Sequence, residues 1–134
     1  MGTRQIKSKE RVEKFAEVFT AQREVNAMCD LLPTDTWRPE TTFLEPTCGE
    51  GVFILEILKR KFQRCRTRTE YSIAVNSIWG MDIQQDNVEI TINNIINLCK
   101  QFFNPTKKDI ETINSHIIMC DSLKVMNLLN EYKE

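Results

Sequence analysis

The chain has 134 residues, of which 41% are hydrophobic and 28% are charged, a composition typical of one globular domain with a modest core. Its 18 basic and 19 acidic residues leave a formal net charge of -1. This balance excludes a protein that attracts nucleic acid or a membrane through its overall field. Any contact with nucleic acid is expected to be local, and no membrane partner is predicted.

The five cysteines are spread along the chain with no CxxC pair and no neighbouring histidine cluster. An odd number at such spacing argues against a disulfide framework and against a zinc site, so no metal is predicted. Thiols that stay reduced, with an N-terminus that lacks the apolar core of a secretory signal, predict a cytoplasmic protein.

Two short helices are predicted within the first forty residues. Apolar residues share one helical face over residues 12–19 and again over residues 25–32, where Pro33 ends the pattern. Turn residues follow, and then Thr42–Glu45 predicts a short buried strand that Pro46 stops.

The strand over Thr42–Glu45 begins the first of two strand–helix units in the middle of the chain. A glycine bend leads into an apolar helical face over residues 54–62, which ends in a basic tract over residues 59–68. A polar loop is predicted next, then a second strand over residues 75–83. Residues 88–102 then predict a long amphipathic helix that ends before Asn104-Pro105.

The last third of the chain predicts one more unit. Thr106 and Asp109 are spaced to cap a short helical turn, residues 116–120 predict a third strand, and residues 123–129 a final helix. The order of helix, helix and three strand–helix units predicts an α/β fold with a parallel sheet. We expect one domain over residues 1–134, with a helical segment over 1–40 and the three units over 41–134.

Each predicted strand has a carboxylate at its end or within one residue of its end, and these are Glu45, Asp82 and Asp121. Parallel sheets bind ligands at the carboxyl ends of their strands, so these acids are candidate binding residues. Between the first strand and its helix, Cys48-Gly49-Glu50-Gly51 forms a GxG turn, where glycine allows positive φ and close approach of a ligand. A GxG turn can also serve only as a flexible connection.

The charge of this bend bears on the kind of ligand. A dinucleotide pyrophosphate at the helix N-terminus would face Glu45 and Glu50, and the third glycine of the dinucleotide fingerprint is missing because Phe53 and Ile54 stand there. S-adenosylmethionine fits better, since its sulfonium and ammonium suit an acidic bend, while its ribose diol and adenine amine suit further carboxylates.

The loop from Glu45 to Phe53, EPTCGEGVF, resembles the cofactor loop of class I methyltransferases, and among them the restriction-modification enzymes that methylate the exocyclic amine of adenine in DNA. The resemblance implies a Rossmann-like fold and S-adenosylmethionine as cofactor. It implies cofactor contacts by the fixed positions of the loop, which are Glu45, Pro46, Cys48, Gly49, Gly51 and Phe53.

Three further segments carry the same resemblance. Gly80-Met81-Asp82-Ile83 is similar to the second motif of the family, which implies Asp82 on the ribose hydroxyls and Ile83 against the adenine ring. Cys120-Asp121-Ser122 is similar to the third motif, which makes Asp121 and Ser122 cofactor residues. Upstream, residues 17–20 resemble the N-terminal motif whose threonine, here Thr20, contacts the methionine carboxylate, with Ala21 in place of the usual proline.

The family's catalytic Asn/Asp-Pro-Pro-aromatic element is not found in this sequence, and Asn104-Pro105-Thr106 is better explained as a turn that stops a helix. No catalytic residue is therefore assigned. The resemblance implies a truncated sheet of about three strands in the order 3-2-1, with the first strand as a free edge. Such an edge predicts a homo-oligomer or a complementing subunit, with DNA as a partner only when a further region is supplied.

Three alternatives stay open at this point. They are one subunit of a split methyltransferase, a non-catalytic interaction or regulatory module, and a nicotinamide-binding domain, which the acidic bend disfavours. Other candidate residues have simpler explanations. The basic tract is interpreted as a solvated helix end or a DNA contact, His116 as structural and Trp79 as core, Cys48 as a small packing residue, and Trp37 is left undecided.

Overall fold

The computed structural model describes residues 9, 10, 12, 13 and 21–133. The chain divides into two compact units, Met1–Leu32 and Pro33–Glu134, and each is described by itself. In the first unit, residues 21–30 form helix α1, and Val25 and Cys29 are buried as the apolar spacing predicts. Residues 14–20, which include most of the first predicted helical face, lie outside the described residues.

The second unit is built on a parallel sheet. Its strands are β1 (Phe43–Glu45), β2 (Ile78–Asp82) and β3 (Ile117–Met119), and they lie in the order β1-β2-β3. Both strand pairs are parallel, which confirms the predicted α/β class with a parallel sheet. The architecture is consistent with a Rossmann-like fold.

Helices connect the strands of the second unit. A short 3₁₀ helix at Thr34–Trp37 precedes β1, and the α-helices are α2 (Val52–Arg64), α3 (Arg68–Asn76), α4 (Gln85–Phe102), α5 (Lys107–His116) and α6 (Ser122–Lys133). Helices α2, α4 and α6 form where the apolar spacing places them. No helix in the described part of the chain is long and apolar enough to cross a membrane.

Helix α3 corrects the prediction of a polar loop and of a strand that begins at Val75. The hydroxyl of Thr67 accepts a hydrogen bond of 3.2 Å from the N–H of Glu70 and so caps the helix N-terminus. Ala74 and Val75 are buried as part of a helical face in contact with α2 and α5. The second strand therefore begins only at Ile78, because the apolar residues before it belong to a helix.

Helix α5 is longer than the single turn predicted from Thr106 and Asp109. The two residues form a reciprocal capping box, as their spacing predicts, but the helix runs for ten residues. His116 is its last residue and not the first residue of β3, which corrects the predicted strand start. The imidazole stacks on Trp79, with ring centroids 3.5 Å apart, and Nδ1 lies 3.0 Å from the carbonyl oxygen of Ile78.

The helices α2 to α5 contact one another in a continuous layer, and α2, α4 and α5 also contact the sheet. Both strand connections step in the same direction along the sheet, so connections of the usual right hand bring their helices to the same face. The alternation of side chains in β2 agrees with this arrangement, because Ile78, Gly80 and Asp82 are buried.

The opposite side of the sheet, here called the open face, carries exposed apolar side chains. Leu44 pairs with Trp79, and they are 52% and 41% exposed. Ile118, which pairs with Met81, is 43% exposed. The interpretation of Trp79 as a core residue is therefore wrong, since 41% of its surface is exposed.

A buried lysine fixes the amino ends of β1 and β2. The Lys61 side chain has no exposed surface, and its ammonium donates to the carbonyl oxygen of Thr41 and, over 2.7 Å, to the Ser77 hydroxyl. Burial lowers the pKa of Lys61 to about 8, although the nearby Glu40 acts in the opposite direction. Lys61 thus departs from the prediction that the basic tract is a solvated helix end.

Candidate functional site

The loop between β1 and α2 turns sharply over Cys48–Gly51. The N–H of Gly51 donates to the carbonyl oxygen of Cys48 over 2.8 Å, which closes the turn. Gly49 and Gly51 have φ values of 54° and 89°, in the left-handed region that glycine adopts without strain. The sequence prediction of positive φ in this bend is confirmed.

The two glycines serve different purposes. A Cβ added to Gly51 would lie 2.9 Å from Cγ2 of Thr91, so a side chain there would collide with α4. A Cβ added to Gly49 would meet no atom within 4 Å. The space beside Gly49 is therefore open, and a ligand can approach the main chain of the loop from that side.

Asp82, the last residue of β2, lies against this loop. One carboxylate oxygen accepts a hydrogen bond of 3.0 Å from the N–H of Gly49, and the other accepts from the Gln84 N–H at 2.8 Å and the Asn87 amide at 3.2 Å. Burial alone would raise the pKa of Asp82, but these three donors outweigh it and hold the pKa below its ordinary value. A carboxylate has about four acceptor positions, and three of those of Asp82 are used by donors in the described part of the chain.

The Cys48 thiol shows that two of the three candidate acids lie near the loop. Burial raises the pKa of Cys48, a contact with Thr91 opposes this, and the charges of Asp82 and Glu45 raise it further. Cys48 is 7% exposed, which agrees with its interpretation as a packing residue. The Glu45 carboxylate itself accepts a hydrogen bond of 3.2 Å from the N–H of Thr47.

The third acid lies at the same edge of the sheet. The N–H of Cys120 donates to the carbonyl oxygen of Asp82 over 2.9 Å, which places the end of β3 beside the end of β2. Asp121 follows and accepts a hydrogen bond of 3.0 Å from the N–H of Leu123 at the start of α6, where Ser122 is the first helical residue. The carboxylate of Asp121 thus supports a helix N-terminus in this structure.

The remaining sequence candidates differ in their accessibility. Ile83, one residue beyond β2, is 67% exposed at the carboxyl edge of the sheet. Phe53 stacks on Phe43 with ring centroids 5.3 Å apart, so its ring contributes to packing between α2 and β1. Pro46 is exposed between β1 and the turn, and Thr20 lies outside the described residues.

Comparison with known proteins adds to this geometry. Over 83 residues the chain is 35% identical to "Type II methyltransferase M.VspI" of Vibrio sp. (strain 343). The similarity supports a relationship to methyltransferases. The match covers 61% of this chain but 17% of that enzyme. No protein family model matches the chain, and no solved structure matches it.

The structure also shows contacts to the loop from residues of α4 that sequence reasoning missed. The side chain of Thr91 is fully buried and donates a hydrogen bond of 2.9 Å to the carbonyl oxygen of Gly49. Asn94 donates to the carbonyl oxygen of Glu50 over 3.2 Å. The only signal in the sequence is that Asn87, Thr91 and Asn94 interrupt an amphipathic helix at the spacing of one helical face.

Gly80 in β2 was quoted as part of a motif, but its packing role was missed. A Cβ there would lie 2.7 Å from Cδ1 of Ile54 on α2 and 3.2 Å from Cδ1 of Ile117 on β3. Close packing of α2 on the sheet thus depends on Gly80 in β2. Ile54, which packs against this glycine, is one of the two residues found at the position of the third glycine in the dinucleotide fingerprint.

The basic tract contributes mainly to the fold. Arg64 donates to the carbonyl oxygen of Thr34 over 3.1 Å, and Arg68 pairs with Asp109 at 3.0 Å. The guanidinium of Arg60 lies 5.3 Å from the ring centroid of Trp37, which gives that tryptophan a cation–π contact. These charges lie along α2 and α3 and are not part of the loop site.

Proposed function

We propose that the chain binds S-adenosylmethionine at the loop between β1 and α2, as the cofactor-binding part of a DNA adenine methyltransferase. The observation that carries the proposal is the open side of Gly49, next to a loop flanked by the carboxylates of Glu45 and Asp82. Such a site suits a positively charged ligand that must approach the main chain closely. The cofactor supplies an activated methyl group to the reaction.

Each candidate residue has a role in this proposal. Glu45 and the loop residues Pro46, Cys48, Gly49 and Gly51 surround the methionine end of the cofactor, whose ammonium and sulfonium a carboxylate stabilises. The resemblance implies contact of Thr20 with the methionine carboxylate, and this residue lies outside the described part of the chain. Asp82 accepts a hydrogen bond from a ribose hydroxyl. The other assignments are Ile83 and Phe53 as apolar neighbours, and Asp121 and Ser122 beside the adenine amine.

The nicotinamide alternative is less consistent with these charges. A pyrophosphate binds where backbone N–H groups and the helix dipole present positive potential. At this loop the N–H of Gly49 is already engaged by Asp82, and the pKa of Cys48 is raised in part by two carboxylates. The same charges that favour a cationic ligand disfavour a dianionic one.

Calorimetric titration tests the proposal. The unmodified chain is titrated with S-adenosylmethionine, S-adenosylhomocysteine and NAD, and we expect heat and a thermal shift with the first two. Gly49→Val places a side chain in the open space and should abolish binding, at a cost in stability of about 1–3 kcal/mol because the positive φ strains a β-branched residue. Ile113→Val, in the core far along the chain from the loop, is the matched control for a loss of stability alone.

The result also decides between binding and a non-catalytic interaction module. No heat and no thermal shift at millimolar S-adenosylmethionine would overturn the proposal in favour of the module. Binding in Gly49→Val equal to that of the unmodified chain would remove the loop as its site. Because no catalytic residue is assigned, we expect no transfer of labelled methyl to DNA by this chain alone.

We further propose that a second polypeptide, or a second copy, pairs with β1 and covers the open face. In the part of the chain that the structure describes, β1 pairs with β2 alone, and Leu44 on β1 and Trp79 on β2 are exposed on the open face. Unpaired main-chain groups beside apolar side chains favour strand addition. Sedimentation at micromolar concentration should show association, and Leu44→Lys should reduce it; a monomer throughout would contradict this proposal.

A further inference from the structure

Helix α4 carries three polar side chains on the face that it presents to the glycine loop. Asn87, Thr91 and Asn94 recur at the spacing of a single helical face, beside the apolar residues that face the core. Each makes a hydrogen bond to the loop or to the carboxylate that holds it. Burial of a polar side chain costs free energy unless it forms a hydrogen bond, and an apolar side chain at the same position would avoid that cost. The presence of three polar residues on this face therefore calls for an explanation.

Thr91 is the centre of this polar stripe. Its hydroxyl donates to the carbonyl oxygen of Gly49 over 2.9 Å. The hydroxyl oxygen of Thr91 also lies 3.8 Å from the sulfur of Cys48. Its methyl group occupies the space where Gly51 would carry a Cβ. A single buried side chain therefore contacts three of the four residues of the turn.

Asn94 and Asn87 extend the stripe in opposite directions. Asn94 donates to the carbonyl oxygen of Glu50 over 3.2 Å, one peptide beyond the bond that Thr91 makes. Asn87 donates to Asp82, whose other oxygen holds the N–H of Gly49. The stripe thus acts on two successive carbonyl groups of the loop and, through Asp82, on the amide before them.

The direction of these bonds fixes the loop. The C=O and N–H of a planar trans peptide point in opposite directions. Because the carbonyl groups of Gly49 and Glu50 point to α4, the N–H of Glu50 points away from that helix. The orientation of both peptide planes is therefore set by side chains that no ligand needs to touch.

We propose that Thr91 and Asn94 are positioning residues that hold the Gly49–Glu50–Gly51 main chain in the orientation that receives the ligand. This inference deepens the proposed function and rests on it for the nature of the ligand. Its geometric part, that α4 orders the loop, applies to the ligand-free protein and is tested separately.

Amide hydrogen exchange tests the ordering without any ligand. Thr91→Val keeps the shape and removes the donor, and we expect the N–H groups of Gly49 and Gly51 to exchange about tenfold faster, as for the loss of one buried hydrogen bond. Thr91→Ser keeps the hydroxyl, so the N–H groups of Gly49 and Gly51 should exchange as slowly as in the unmodified chain. Ile95→Val weakens the packing of the same helix and is the matched control for stability, with loop amides that stay slow.

Titration with S-adenosylmethionine tests the consequence for binding. We expect Thr91→Val to raise Kd about tenfold, and Thr91→Ser and Ile95→Val to stay within about twofold of the unmodified chain. Asn94→Ala, at a half-buried position, gives an independent reading if Thr91→Val does not fold. It should raise Kd with little change in melting temperature.

The two failures can be told apart. If the unmodified chain binds no S-adenosylmethionine, the proposed function fails, and the exchange experiment alone decides the positioning role. If Thr91→Val lowers the melting temperature as Ile95→Val does, while the loop amides and Kd stay unchanged, the inference is overturned. Equal effects of Thr91→Ser and Thr91→Val would also overturn it, because the hydroxyl would then play no part.

Discussion

Asp82 accepts a hydrogen bond of 3.0 Å from the N–H of Gly49, so the last residue of β2 holds the loop that follows β1, the strand beside it. The same carboxylate accepts the N–H of Gln84 and thereby supports the start of α4. A ligand at this edge of the sheet would meet a carboxylate that is already ordered. We expect this one side chain to link the stability of the loop to binding.

The stability that Asp82 contributes should depend on pH. Asp82→Asn keeps the size and removes the charge, so we expect a loss of about 1–3 kcal/mol in the free energy of unfolding at pH 7. The folded pKa lies below the ordinary value of 3.8, so the contribution is present above that value and is lost as pH falls through the folded pKa. Urea unfolding of both proteins from pH 7 to pH 2.5 measures the difference.

That difference should shrink towards low pH. A constant difference between the two proteins over the whole range would show that hydrogen bonding to a neutral side chain, and not the charge, explains the effect. Asp35→Asn, at a carboxylate that is 78% exposed, provides the control. It should leave the pH profile unchanged.

Gly80 should be intolerant of alanine because of one methyl group on α2. We expect Gly80→Ala to lower the free energy of unfolding by about 1–3 kcal/mol, since its Cβ would lie 2.7 Å from Cδ1 of Ile54. Ile54→Val removes that atom. In a double-mutant cycle by urea unfolding, Gly80→Ala should cost less in the Ile54→Val background, and purely additive effects would contradict the proposed contact.

Lys61 should make the protein more stable as pH rises from 8 to 10.5. The folded pKa is about 8 and the ordinary value is 10.5, so within this window the unfolded state binds the proton more tightly and a rise in pH favours folding. The shift corresponds to about 3 kcal/mol. The measurement is the difference in unfolding free energy between the unmodified chain and Lys61→Met, which should increase across the window.

Two comparisons make this prediction specific. Lys59→Met changes an exposed lysine two positions earlier and should give a flat difference. The raised pKa of Cys99 acts in the unmodified chain and in both variants, so it largely cancels in the difference. The charge of Lys61 lowers the pKa of Cys65, so part of the Cys65 contribution enters the Lys61→Met difference and not the Lys59→Met difference. A flat difference for Lys61→Met would mean that the buried amine keeps an ordinary pKa.

Asp109 should be the residue whose loss most weakens the contact between α3 and α5. It is 4% exposed and accepts hydrogen bonds from the N–H of Thr106 at 2.9 Å, from Ser72 at 3.0 Å and from Arg68 at 3.0 Å. We expect Asp109→Ala to cost about 2 kcal/mol, because three donors lose their acceptor while Arg68 remains partly hydrated. Thermal unfolding measures it, with Asp86→Ala on the surface of α4 as the control; equal effects would contradict the prediction.

Periodicity along the chain was sufficient to predict the parallel sheet and helices α2, α4 and α6. It failed at α3, because the buried run around Ala74 and Val75 is too short to distinguish a helical face from the strand that begins at Ile78. His116 was placed in a strand for a similar reason. Alternation and helical spacing become indistinguishable within a few residues of an element boundary.

The candidate site was predictable where local geometry decides it. The positive φ of Gly49 and Gly51 follows from the residue type and the turn. The roles of Thr91 and Gly80 could not be predicted. The role of Thr91 depends on how closely α4 approaches the loop at Gly49, 42 positions earlier, and the role of Gly80 depends on how closely Ile54 of α2 packs on β2. The assignments of individual side chains to parts of S-adenosylmethionine stay predictions.

The anchoring of the Cys48–Gly51 turn by Asp82, Thr91 and Asn94 has a consequence for biosynthesis. A turn held by side chains 33 to 44 residues later cannot be ordered as soon as its own residues are made. During translation it stays unstructured until α4 has left the ribosome, however early β1 and α2 emerge. Nascent chains arrested before that helix should therefore be cut by a protease at the glycines, while longer ones should resist.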